Sequence, residues 1–84
     1  MEPQKRYGFI GILIENRENN SRQIQEILSD HGELIVGRMG LPRLDQTDLS
    51  IITLIVHASS DQVGALTGRL GSLPGVSVKS GLAK

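Results

Sequence analysis

The chain has 84 residues, 38% of them apolar and none of them cysteine, enough for one domain that buries roughly 60–65% of its unfolded surface. Nine Lys and Arg balance nine Asp and Glu, and Tyr7 and Phe9 are the only aromatic residues. That excludes a net field for gathering nucleic acid or an anionic membrane, and a stacking platform for single-stranded RNA.

Residues 1–6 are polar and are expected to form a flexible lead-in to a single domain over 7–84, with no secretory apolar region and a cytoplasmic setting. Residues 7–14 are β-branched and aromatic, which predicts a first strand. A polar stretch over 15–21 then reads as a loop, and Asn20 with Gln23 three positions on predicts a capping box opening a helix over 21–31. Ile24, Ile27 and Leu28 supply its apolar stripe, and Gly32 is the expected left-handed stop. A second strand is expected over 33–41, closed by Pro42, then a polar hairpin connection over 43–48. Residues 49–58, the most apolar segment, predict a third strand. Ser59 and Gln62 are again spaced as a capping box, Val63, Leu66, Leu70 and Leu73 mark one stripe of a second helix, and Leu73-Pro74-Gly75 ends it. Residues 76–79 alternate as a last, half-buried strand.

The order β-α-β-β-α-β predicts a ferredoxin-like α+β sandwich, with two helices on one face of a four-stranded antiparallel sheet and the first and third strands central. Both central strands are apolar on both alternation sets. Ile10, Ile12 and Ile14 oppose Phe9 and Leu13, and Ile52, Leu54 and Val56 oppose Ile51 and Ile55. The chain has no further element for the second face. The expected cover is another copy, with Phe9, Leu13, Ile51, Ile55 and His57 at the interface. With no disulfide or thiolate zinc site available, that association also supplies stability a small core lacks.

Chemistry is sparse. His31 and His57 are the only histidines, so no metal site and no cofactor are expected, and His31 suits a helix C-terminus as it stands. The hydroxyls stand in no triad or nucleophile-elbow context, so an enzyme is not expected. Gly37-Arg38-Met39-Gly40 interrupts the second strand with two glycines. A bulge or close backbone approach explains such a pair, and a cleft with Arg38 as an anion clamp is the functional alternative. Gly64 and Gly68 predict a thin helix face packed close on a neighbour.

The segments Gly11-Ile-Leu-Ile-Glu15, Ile35-Val-Gly-Arg-Met-Gly-Leu-Pro42, Gly64-Ala-Leu-Thr-Gly-Arg-Leu70 and Leu73-Pro-Gly-Val-Ser-Val-Lys-Ser80 resemble the small iron-only hydrogenase system regulators, stand-alone ACT-like domains similar to the C-terminal domain of the nickel-responsive repressor. The resemblance covers residues 5–84. It implies the same fold, sheet-mediated dimers or tetramers, and a part in regulating assembly or expression of iron-only hydrogenase. It does not carry nickel sensing or direct DNA binding here, because this chain lacks the ligand set and the DNA-binding arm. ACT domains hold effectors at a subunit interface near the loop after the first strand, which points to Glu15, Asn16 and Arg17; with the cleft read from Gly37, Arg38, Met39 and Gly40, these are the expected ligand-binding residues. The expected function is therefore a non-catalytic, ligand-sensing regulatory module with a small-molecule effector or a protein partner in hydrogenase biogenesis. The alternative is a purely structural protein–protein interaction module with no small-molecule ligand.

Overall fold

The computed structural model describes residues 4–15, 17–42, 44 and 47–84, with residues 17–19 described by their backbone alone. Strand β1 (Arg6–Ile14), helix α1 (Arg17–Asp30), β2 (Ile35–Leu41), β3 (Ser50–Ala58), α2 (Ser60–Gly71) and β4 (Val76–Leu82) follow in that order, with a 3-10 turn at Gly32–Leu34. All pairings are antiparallel and the sheet order is β2-β3-β1-β4. This is the βαββαβ sandwich expected from the sequence, with β1 and β3 central.

Register assigns the two sheet faces. Ile10, Ile12 and Ile14 sit across from Leu54, Ile52 and Ser50, and this face carries the core: Ile10, Ile12, Leu54 and Val56 are fully buried together with Ile24 and Leu28 of α1 and Leu66 and Leu70 of α2. Burying each such side chain contributes roughly 1.5–3 kcal/mol.

α2 starts as its sequence predicts. Ser59 Oγ accepts from the Gln62 N–H at 3.2 Å and Gln62 Oε1 accepts from the Ser59 N–H at 2.9 Å, so the capping box closes in both directions. α1 does not. It begins at Arg17, four residues before the expected start, which places Asn20 inside the helix, buried, with its Nδ2 donating to the Pro74 carbonyl at 2.6 Å. A long-range partner has claimed the side chain that looked like a cap. Gly32 is not left-handed either, since Gly75 is the glycine with positive φ, at 76°. α1 instead tightens into its 3-10 turn, the His31 N–H reaching the Ile27 and Leu28 carbonyls at 3.2 Å and the ring Nδ1–H donating to the Ile27 carbonyl at 2.9 Å.

Two further expectations are corrected. A Cβ at Gly64 or Gly68 would meet nothing within 4 Å, so these glycines form a bare outer face of α2 and not a packed one. β4 also runs three residues past its expected end, because Gly81 pairs with Phe9 and the Phe9 ring lies over it; a Cβ there would come within 2.9 Å of the ring. Beyond β4 the Ala83 N–H donates to the Tyr7 carbonyl at 2.8 Å and Arg6 reaches the Ala83 carbonyl at 3.3 Å.

Candidate functional site

The C-terminal ends of β1 and β2 and the N-terminal ends of β3 and β4 meet at one end of the sheet, since Ile14 pairs with both Ser50 and Val76 and Leu41 pairs with Ile51. That end is pinned. The Glu15 N–H donates to the Gly75 carbonyl at 2.8 Å, and beside it Asn20 holds Pro74. Left-handed Gly75 is required there, because its Cα faces the Glu15 carbonyl and a Cβ would come within 3.1 Å of that oxygen.

Two hollows open at this end on opposite faces. On the open face, Leu13, Glu15, Leu49, Gly75, Val76 and Ser77 enclose about 410 Å³. On the helix face, between α1 and the β2–β3 pair, Ile14, Gln25, Arg38, Gly40, Ser50 and Ile52 are among the residues around about 140 Å³. The residues expected to form one ligand site are therefore divided within a protomer. Glu15 belongs to the first hollow, and Arg38 and Gly40 to the second. Arg38 lies opposite Leu54 on the helix face, and its Nη2 donates to Gln25 Oε1 at 3.3 Å. Gly37 and Met39 face the other way, opposite Ile55 and Thr53. Asn16 and the Arg17 side chain lie outside the described residues.

The interruption of β2 is a bulge. Ile35 pairs with Val56 and Gly37 with Ile55, so Val36 is the extra residue. A Cβ at Gly37 would meet nothing within 4 Å, and at Gly40 only ordinary contacts with Ile51 and Ile52. Neither glycine is required by a close approach among the described residues.

Sequence reasoning missed Gln25 and Ser50. Ser50 is 3% exposed, and its Oγ has no hydrogen-bond partner among the described residues. A polar residue on the apolar alternation set of β3 was the available signal.

The open face brings together Tyr7, Phe9 and Leu13 of β1 with Ile51, Ile55 and His57 of β3. Phe9 is 49% and Ile55 47% exposed, and Met39 and Leu41 extend the patch along β2. Tyr7 stacks on His57 with ring centroids 4.4 Å apart. Among the described residues no group of three or more potential metal ligands occurs, and no helix is long and apolar enough to cross a membrane.

The profile of the family described as "TM1266-like: Iron-only hydrogenase system regulator, putative" matches residues 6–80. Among solved structures, the chain is similar to uncharacterized protein TM1266 from Thermotoga maritima, at 37% identity and a TM-score of 0.90, covering 96% of this chain and 100% of that one. It is also similar to the ACT domain from GTP pyrophosphokinase of Chlorobium tepidum, at 18% identity and TM-score 0.77, covering 92% and 99%. The regulatory subunit of aspartate kinase from Thermus flavus is matched at 11% identity and TM-score 0.64, covering 92% and 52%. These last two likenesses establish an ACT-like ferredoxin fold. No curated protein matches the chain.

Proposed function

The chain belongs to the TM1266-like family, and from that premise we propose that it is a non-catalytic, cytoplasmic ACT-like module that senses a small-molecule effector, works as a homodimer or tetramer, and regulates assembly or expression in the iron-only hydrogenase system. The observation that carries this reading is the open sheet face, where Phe9, Ile55, Met39 and Leu41 stand exposed and no element among the described residues covers them. Four strands about 4.8 Å apart and roughly 25 Å long offer about 500 Å² per copy, so two copies bury about 1,000 Å², the lower bound of a specific interface.

A second copy on this face also closes over the hollow at Leu13, Glu15 and Ser77. Effector binding there shifts the subunit equilibrium by its differential affinity for the free and associated forms. Gly37 and Met39 belong to the same face. Arg38 and Gly40 serve the hollow behind it.

The test is light scattering on wild type and Ile55→Lys, with a thermal-shift screen of small metabolites on each. The expected result is a dimer or larger wild type, a monomeric and folded variant, and at least one metabolite that raises the wild-type melting midpoint. A monomeric wild type at micromolar concentration refutes self-association. Silence across the screen with the oligomer intact favours a protein-docking module without a ligand.

A further inference from the structure

We infer that the hollow between α1 and the β2–β3 pair binds a small organic carboxylate that carries no ammonium group. The inference deepens the effector-sensing reading above and rests on it. It does not depend on the open face.

The hollow is rich in hydrogen-bond donors. Arg38 has a hydrogen bond to Gln25 as its partner among the described residues, and a guanidinium has five N–H donors in a planar fork that matches a carboxylate. Gln25 adds an amide NH₂ that is not engaged in that bond. Ser50 lies among the residues around the hollow, and its hydroxyl is buried and without a partner among the described residues, a state that costs free energy unless some further group satisfies it. None of the described residues around the hollow is acidic. An anion is favoured beside Arg38, and an ammonium group would find no carboxylate among these residues to meet it.

The helix-face side chains Ile14 and Ile52, with Pro42, give the hollow an apolar wall. At about 140 Å³ the space compares with the ~150 Å³ cavity that accepts benzene in another protein. Room for about six non-hydrogen atoms, a donor fork at one side and isoleucine at the other describe a short-chain or 2-oxo carboxylic acid. A free amino acid of the same length brings the unmatched charge, and inorganic phosphate leaves the aliphatic wall uncovered.

Calorimetric titration of the full chain with propionate, pyruvate, alanine and inorganic phosphate tests this, with the oligomeric state followed in the same samples. Propionate or pyruvate is expected to bind at least tenfold more tightly than alanine and phosphate. Arg38→Gln is expected to weaken carboxylate binding at least tenfold with an unchanged melting midpoint. Ser50→Ala is expected to weaken binding while raising the midpoint of the ligand-free protein, a pairing that a purely structural hydroxyl does not produce. Equal binding of alanine or phosphate, no binding of either carboxylate, or carboxylate binding that survives both substitutions overturns the inference. If a different ligand from the metabolite screen binds regardless of Arg38 and Ser50, the pocket assignment fails and the sensing role stands.

Discussion

Asn20 joins two turns that lie 54 residues apart, and its side chain does so from inside α1. A buried amide with one strong acceptor is costly to remove, because the Pro74 carbonyl then loses its partner. Asn20→Ala is expected to lower stability by about 1–3 kcal/mol in urea unfolding. The Glu15 amide, which shares the same junction through Gly75, is expected to exchange faster with solvent in the variant. Nothing local in the sequence distinguishes this asparagine from a capping one, since the discriminating partner belongs to the far end of α2. Ser50 is a related case. Its place on the inward set of β3 follows from alternation, whereas the lack of a partner for its hydroxyl follows only from what surrounds it. Arg38 was legible as a cation beside two glycines, but its pairing across to Gln25 depends on how α1 lies on the sheet.

Among the elements, α2 was read correctly from its cap and most of its stripe, because Ser59, Gln62, Val63, Leu66 and Leu70 all act within a few residues of one another, whereas Leu73, expected on the same stripe, lies past the helix end at Gly71. The first turn of α1 was not, because residues 17–20 are charged or amide-bearing and contribute no apolar period of their own. Packing extends that helix where local propensity is neutral. The outer face of α2 supports a direct test. Gly64 and Gly68 have nothing within 4 Å of a built Cβ, and glycine in an exposed helix interior costs roughly 0.5–1 kcal/mol against alanine. Gly64→Ala and Gly68→Ala are each expected to raise the unfolding free energy by about that amount, additively, in denaturant titration. A loss of stability, or a change of subunit number by light scattering, would show that this face meets a partner. The strands were legible wherever alternation is strong. β4 outran its expected end because Phe9 on the neighbouring strand shields a glycine that has no side chain of its own to pack.

For the whole molecule, the sequence predicted the fold and the apolar second face, because both follow from counting elements and alternation sets. It did not predict that the residues expected to bind a ligand divide between two hollows, which is set by β3 lying between β1 and β2 and by the register that turns Arg38 to the helix face. Stability is expected to reflect association as well. If the open face is covered by a second copy, the melting midpoint rises with protein concentration, and calorimetry over a hundredfold range of dilution resolves the rise. A midpoint independent of concentration, with a monomeric mass, would contradict that cover. Finally, the hydrogen bonds between Ala83 and residues 6 and 7 set the two ends of the domain side by side. Both hollows lie at the opposite end of the sheet, about 26 Å along β1. A tether, a dye or a fused domain at either end therefore leaves the hollows clear, and a short linker could sew the ends together so that the chain is reopened elsewhere with its sheet order intact.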